Sequence, residues 1–372
     1  MKNILVLNYE FPPLGWGQAN ANYFLFKEFS KNKNYNFTLI TSSTNKYKEE
    51  DFSDNIKIYY LDIWKNNEKL HNQSIKNLLI NSYKTFKIAK RLIKKNKFDK
   101  IMTWSYPAIW LWYIFNKFYK IPYITLLRGS DVPFYEKKWK NLDKFIFQYL
   151  APIFWRNSEK VIANSKWLKN MALKSSENQK IEIIPNWVDT NFYTYDESKK
   201  IKDKFIILRV WRLVERKNFE MIINSVFKIK NNKNIEIWIV WDWPEKEKLE
   251  KLAKENKINL QLFWLKNKEE LKETYKQATI FCLPSKNEWM SNTLLEAISS
   301  WLPVIVTDVW WSEELVKNNW YIINIDDEKT LKEKIELLYN DKEKVIELTN
   351  NSIEFSKKLS WENTAKEFIK YL

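Results

Sequence analysis

Residues 287–301 read NEWMSNTLLEAISSW. The stretch reads as a loop followed by an active-site helix over about 291–299. A Trp stands before the helix, at 289, and another after it, at 301. These are corners where a sharply turning chain ordinarily carries Gly, which alone reaches positive φ without a steric penalty. The chain has 372 residues, with 3 Gly and 20 Trp. An average chain of this length carries about 7% Gly, or roughly 26 residues. The two counts together come close to that number, as though most glycine positions were occupied by Trp.

The positions of the Trp residues support this. Trp211 ends the apolar run FIILRV, Trp241 and Trp243 bracket Asp242, and Trp264 ends LQLF. Trp310 and Trp311 follow VIVTDV, Trp187 follows IIPN, and Trp16 stands between Gly15 and Gly17. Most of these are strand-to-loop corners, where a chain needs positive φ or close approach to a ligand. Trp167 and Trp320 complete the set, and Trp361 reads as a genuine tryptophan. Trp64, Trp104, Trp110, Trp112, Trp139, Trp155 and Trp238 stay unsorted.

Working outward from these corners, short apolar runs alternate with amphipathic helical stretches. Strands are expected at 3–9, 35–43, 55–63, 100–104, 122–129, 160–165 and 181–186. Helices are expected at about 18–31, 73–96, 104–120 and 138–155. A second alternation starts at 205–210 and runs through strands at 235–240, 260–264, 279–284, 303–308 and 321–326, with a helical tail from about 328. Strands separated by helices imply parallel sheets with right-handed crossovers. The expected fold is therefore α/β, with two doubly wound Rossmann-like domains. Their ligand crevices lie at the carboxyl ends of the strands and face a shared cleft. The expected boundaries are 1–188, a polar linker at 189–204, 205–350, and a C-terminal helix at 351–372 packing back on the first domain.

Composition narrows the function classes. One Cys, Cys282, excludes a disulfide framework and a Cys-based zinc site, and suits a reducing cytosol. The N-terminal apolar run is short and strand-like, unlike a signal peptide, and no run reaches the roughly 18 apolar residues of a spanning helix. The expected location is cytoplasmic. The formal charge of +16 fits an anionic membrane, a nucleic acid or simply a Lys- and Asn-rich codon bias. The sharpest basic stretch, KTFKIAKRLIKKNK (84–97), has an apolar side formed by Phe86, Ala89 and Ile93. It reads as a solvated helix face or as a helix resting on anionic lipid. The single His, His71, lies in a polar stretch and reads as surface.

With the corner Trp residues read as Gly, the segments become VGDGPE, EGMSNTLLEAISSG, DVGGSEEL and IPNGVD. In this form the chain resembles the family-4 glycosyltransferases, retaining enzymes of the GT-B fold. The resemblance runs through FPPLGWGQAN (11–20), RGSDVPFY (128–135), WRNSEKVIANSKWLKNMAL (155–173) and IIPNWVDTNFY (183–193). It continues through RVWRLVERKNFEMII (209–223), VWDWPEKEKL (240–249), the stretch 287–315 and NNWYIINIDD (318–327). A decoding mismatch is the simplest account of the Trp residues, beside a decayed pseudoenzyme or a Trp-rich binding protein. UGA means stop, Trp or Gly in different lineages, and a gene that uses it for Gly yields this chain when the codon is read as Trp. A non-Gly residue in a Gly-type conformation costs about 1–3 kcal/mol, so a dozen would cost as much as roughly 12–36 kcal/mol. A domain has only about 5–15 kcal/mol of stability.

The chemistry requires a site that holds a nucleoside diphosphate sugar and stabilises its departure. Arg212 and Lys217, five apart just after a strand, suit a diphosphate as paired cations, and the resemblance assigns them that role. The backbone N–H groups of Met290, Ser291 and Asn292 open a helix, and a helix N-terminus binds anions. The resemblance places Glu288 on donor-sugar hydroxyls and Glu296, two turns inside the helix, on the ribose. Gly15 and Gly17 lie in a loop that in the family approaches the donor phosphate and sugar. Asp131 follows a buried strand and reads as an acceptor-side base or as a cap. Arg128 stands near the place where related enzymes often carry a His, which leaves the acceptor chemistry open.

No carboxylate–His cluster suggests a metal, and no cofactor is implied; the donor, UDP- or GDP-linked, is a substrate. The resemblance implies a glycan, lipid-linked or polysaccharide acceptor of the cell envelope. The alternatives are a sugar-nucleotide epimerase of the same fold and a basic nucleic-acid binder. For the latter no motif is evident.

Overall fold

A computed structural model of the chain describes all residues except 15–16, 65–73, 105–108, 130, 136–140, 142, 186–187, 211–217, 241–245, 265, 287–290 and 310–319. The chain divides into two units: Met1–Asn186 with Trp361–Leu372, and Trp187–Ser360.

Unit 1 is built on an eight-stranded sheet. Its strands are β1 (Lys2–Asn8), β2 (Tyr35–Ser43), β3 (Lys48–Ser53), β4 (Ile56–Asp62), β5 (Lys100–Trp104), β6 (Tyr123–Leu127), β7 (Lys160–Ala163) and β8 (Ile181–Ile183). The order across the sheet is β3-β4-β2-β1-β5-β6-β7-β8. Every pair is parallel except the edge pair β3–β4. The central strand β1 is buried from Ile4 to Asn8, as a parallel strand covered on both faces must be. On one face lie α2 (Ile75–Lys95), α3 (Ile109–Tyr119), α4 (Gln148–Arg156, entered through a π-helical turn at Asp143–Phe147) and α5 (Lys166–Leu173). Ala89, Leu111, Phe154 and Leu168 from these helices share one core with β1, β5 and β6. On the other face, α1 (Gly17–Phe29) meets the last helix of the chain, whose Trp361 ring stacks on Phe24 at 6.2 Å.

Unit 2 carries six parallel strands: β9 (Phe205–Val210), β10 (Ile235–Val240), β11 (Asn259–Phe263), β12 (Ile280–Leu283), β13 (Val304–Thr307) and β14 (Trp320–Ile323). Their order is β11-β10-β9-β12-β13-β14. The first strand of the unit therefore pairs with both its second and its fourth, with Ile207 opposite Ile237 and Ile280. The direction of winding reverses between β9 and β12, which makes that gap the switch point of a doubly wound sheet. Helices α6 (Phe219–Phe227), α7 (Lys246–Glu255), α8 (Lys268–Gln277), α9 (Asn292–Ser299), α10 (Glu328–Asn340) and α11 (Lys342–Ser356) cover it. The final helix of the chain, α12 (Trp361–Ile369), belongs to unit 1.

Two expectations from the sequence need revision, and one element was not foreseen. Residues 189–204, set aside as a linker, belong to unit 2. The polar run hides Tyr193, which is buried edge-on against Tyr275 and Phe192. The 84–97 helix turns its apolar side inward, with Ala89 and Leu92 in the core and Phe86 stacked on Phe115. That side is unavailable to lipid. The edge strand β3, KEEDFS, was not anticipated, because it has no apolar alternation to reveal it.

The backbone also sorts several Trp residues. Trp301 sits just past the end of α9 with φ 63°, in the left-handed region. Its N–H bonds to the carbonyl of Ile298 at 2.8 Å, and the Leu302 N–H bonds to that of Ala297 at 3.0 Å. This is the Schellman ending, whose left-handed residue is usually Gly. Trp64, unsorted from sequence, has φ 59° and is 60% exposed. By contrast Trp320 is an ordinary strand residue and Trp167 a helical one, so the positive-φ argument does not reach them. Trp264 is absent from the left-handed set as well. Trp104 and Trp155 are fully buried core residues, and Trp238 donates its Nε1–H to Glu236 at 3.0 Å. Of the remaining Trp residues, 16, 139, 187, 211, 241, 243, 289, 310 and 311 lie outside the described residues, as do the side chains of Trp110 and Trp112.

Candidate functional site

In unit 2 the chain leaves β9 at Val210 and β12 at Leu283 on the same edge of the sheet, either side of the switch point. After β12 comes Ser285, fully buried, whose Oγ accepts from Arg209 Nη2 at 3.1 Å. Its carbonyl accepts from Thr307 Oγ1 at 2.6 Å. The floor beneath the loop is thus tied to β9 and β13 by side chains. Arg209 is itself buried in β9, with its guanidinium over the rings of Phe219 and Phe281 at 5.5 and 5.9 Å. Sequence reasoning passed over Arg209 because it sits inside an otherwise apolar run.

The helix α9 then begins. Ser291 is its N-cap, with extended backbone and an Oγ that pairs with Thr293 Oγ1 at 3.0 Å. Since the hydroxyl does not reach back to a first-turn N–H, the amides that open the helix keep no intrahelical acceptor. Ser291 and Asn292 therefore present donors and the positive end of the helix dipole at the carboxyl edge of the sheet.

Glu296 lies four residues beyond Asn292, a little over one turn into the helix rather than two. The Tyr275 hydroxyl of α8 donates to Glu296 Oε2 at 3.0 Å. Burial pushes the carboxyl up to about 7, against the opposing hydrogen bonds of Tyr275 and Tyr193 and the charge of Lys268. The same burial raises Tyr275 and Tyr193 well above an ordinary phenol. Glu296 is half-buried, and a carboxyl held by hydroxyls can accept other hydroxyls, such as a vicinal diol, at little reorganisation. Neither tyrosine was singled out from sequence, because helix periodicity and a polar-looking run explained both as ordinary residues.

In unit 1, Gly17 is the first residue of α1, following the loop after β1. Asp131 closes the loop after β6. It accepts the Arg128 N–H at 2.9 and 3.0 Å and the Gly129 N–H at 2.7 Å. It is 1% exposed, and burial raises its carboxyl to about 6 against these backbone bonds. Both oxygens are occupied with holding the turn. Gly129 has φ 148°, and a Cβ there would lie 2.5 Å from the Tyr135 ring, so this glycine is required. The Arg128 guanidinium lies over the Phe368 ring of α12 at 5.6 Å, and burial lowers it to about 10.

The structure thus brings Ser291, Asn292 and Glu296 together on one helix end and sets Gly17 and Asp131 in unit 1. Gly15, Arg212, Lys217, Glu288 and Met290 lie outside the described residues, as does His71.

Comparison with known proteins agrees with this fold. Residues 17–192 match the family model "Glycosyltransferase Family 4", and residues 193–357 match "Glycosyl transferases group 1". An uncharacterized glycosyltransferase of Methanocaldococcus jannaschii is 28% identical over 288 residues, spanning 76% of this chain and 77% of that relative. Among solved structures, sucrose-phosphate synthase from Thermosynechococcus elongatus superposes with a TM-score of 0.79 at 16% identity, covering 100% of this chain and 98% of the other. Anabaena HepE, solved in complex with UDP and glucose, gives 0.72 at 14% identity, covering 100% and 99%.

Proposed function

Because this chain is a nucleotide-sugar glycosyltransferase of the GT-B fold, similar to family 4, we propose that it moves a hexose from a UDP- or GDP-linked donor to a cell-envelope glycan or lipid-linked acceptor, with retention at the anomeric carbon. The observation that carries the donor site is Glu296, a half-buried carboxyl held by hydroxyls one turn inside a helix that opens at the switch point of unit 2. In this reading the Glu296 carboxyl takes the ribose hydroxyls and the α9 amides take a phosphate. Arg212 and Lys217 neutralise the leaving diphosphate, and Glu288 orients the donor sugar. Retention follows the family resemblance. With no obvious covalent nucleophile in the sequence, attack from the face the leaving group vacates is the simplest route. Asp131 shapes the loop after β6, and its part is to position that loop rather than to take a proton. That HepE was solved with UDP and glucose supports a UDP-linked donor.

The same reading includes glycine at the Trp corners of the native chain. The left-handed Trp301 supports it directly, and Trp64 joins the set. The test compares two proteins by calorimetry: the Trp-bearing chain, and a form with Gly at 16, 64, 187, 211, 241, 243, 289, 301, 310 and 311. The glycine form is expected to bind a nucleoside diphosphate and, in a donor panel, to give a product whose anomeric proton coupling matches that of the donor. An inverted product removes the retaining mode. Tight UDP binding by the Trp-bearing chain removes the glycine reading, and donor turnover without any acceptor points to the epimerase.

A further inference from the structure

The outer surface of one helical layer in unit 1 carries a pattern that donor chemistry does not use. The turn at Asp143–Phe147 and the helix α4 expose Phe145, Ile146, Tyr149, Leu150 and Ile153, with Phe145 70% and Tyr149 64% exposed. The spacing i, i+1, i+4, i+5, i+8 puts all five along one side of the helix. Monomers seldom leave so continuous an apolar stripe in water. Lys144 and Arg156 stand exposed at its two ends. The one acid of the segment, Asp143, is turned inward and accepts the Phe134 N–H at 2.9 Å.

The neighbouring helices continue the pattern. Phe86 stacked on Phe115 joins α2 to α3, and Tyr113 edge-on to Phe154 joins α3 to α4. Neither α2 nor α3 contains an Asp or Glu. The outer side of α2 shows Leu79 and Tyr83, 66% and 68% exposed, and then Lys87, Lys90, Arg91, Lys94 and Lys95. This is not the general lysine richness of the chain. In unit 2, several helical lysines are paired with acids of their own helices, as in Lys276–Glu273 at 2.7 Å and Lys344–Glu347 at 2.7 Å. Among the described residues no ion pair engages Lys87, Lys90, Lys94, Lys95 or Lys144.

We propose that the outer face of α2, α3 and α4 docks unit 1 on an anionic lipid bilayer, with the 145–153 stripe entering the headgroup boundary and the α2 cations resting on the lipid phosphates. Apolar side chains with cations, and no exposed acid among the described residues of these three helices, match a surface that is itself apolar below and anionic above. The cations at the stripe ends can extend their heads to the phosphates while their stems stay among the acyl chains. Among the described residues no helix is long and apolar enough to cross a membrane, so the contact lies on the surface. The sequence alone pointed to the 84–97 segment. The structure buries the apolar side of that helix and moves the inserting residues to α4. Docking does not depend on donor chemistry, so this inference and the transferase reading can fail separately.

The test is co-sedimentation of the full chain with vesicles of equal parts phosphatidylglycerol and phosphatidylcholine, and with phosphatidylcholine alone, without donor or acceptor. The chain is expected on the anionic vesicles only, with affinity falling as salt rises. Phe145→Ser with Tyr149→Ser should weaken binding by about tenfold or more. Lys87→Gln, Lys90→Gln and Lys94→Gln together should weaken it by about a hundredfold at low salt, roughly fivefold per charge. The two sets lie on different helices, and all five positions are exposed, so thermal melts should stay unchanged. No binding to anionic vesicles, equal binding to neutral ones, or binding that survives either set overturns the proposal. So does a dimer in sedimentation velocity that Phe145→Ser with Tyr149→Ser makes monomeric, because the face would then belong to a second copy of the chain.

Discussion

Asp131 of unit 1 and Glu296 of unit 2 are both carboxyls pushed upward by burial, to about 6 and about 7. They differ in what holds them. Asp131 accepts backbone N–H groups of its own turn, which cannot leave without unmaking the loop. Glu296 is held by a tyrosine hydroxyl from another helix, a partner that rotates and can share the carboxyl with an incoming ligand. Burial and a raised pKa alone do not separate a structural carboxyl from a binding one; the chemistry of the partners does.

The largest effect should fall on Asp131. Asp131→Ala leaves the Arg128 and Gly129 N–H groups buried without an acceptor, and should lower stability by about 3–5 kcal/mol in denaturant melts. Asp131→Asn, which keeps one acceptor, should lose less. If Asp131→Ala melts normally but loses turnover, the comparison fails and Asp131 is a chemical group. Glu296→Ala should do the reverse. In the glycine form, nucleoside diphosphate affinity should fall about 10–100-fold, or about 1.5–3 kcal/mol, with little change in melting temperature.

These two carboxylates show where sequence was informative. The runs FIILRV and IEIWIV are apolar throughout because parallel strands are covered on both faces, and both strands were legible to the residue. Chain alternation and handedness made the parallel, doubly wound character of unit 2 legible, but the order of its strands, and hence the switch point, came from the structure. The partners of the carboxyls were not legible. Tyr275 and Glu296 are 21 residues apart on different helices, and nothing local marks their meeting. The α4 stripe was equally hidden, because which side of helix 138–155 is left uncovered depends on neighbours distant in the sequence. Trp301 sat at the other extreme: its position after a helix already called for a left-handed residue, and the backbone has one.

The pH dependence sharpens the contrast further. The Glu296 carboxyl is raised in the folded state, so its contribution to stability is fully present below an ordinary carboxyl pKa. It is lost as pH rises through about 7. Ribose hydroxyls favour the ionised form, so nucleotide affinity should rise with pH through the same range. It should change by about tenfold at most from two pH units of titration. Glu296→Gln should flatten this profile, and a profile unchanged in Glu296→Gln would assign the titration elsewhere.

The smallest effect concerns the other end of α9. Trp301→Gly in the Trp-bearing chain relieves a left-handed backbone at about 1–2 kcal/mol. It also gives up the ring stack on Tyr195 at 4.9 Å, worth about 0.5–1.5 kcal/mol. A net gain of about 0.5 kcal/mol is expected, with nucleotide affinity unaltered by this change alone. A loss of stability would mean the ring matters more than the backbone.

The most direct measurement is a calorimetric titration of UDP and GDP into the glycine form, with and without Glu296→Ala. One of the two nucleotides should bind saturably, and its binding should weaken by about 10–100-fold when the carboxyl is removed. Equal affinity in both proteins, or no binding of either nucleotide by the folded glycine form, would contradict this reading of the donor site.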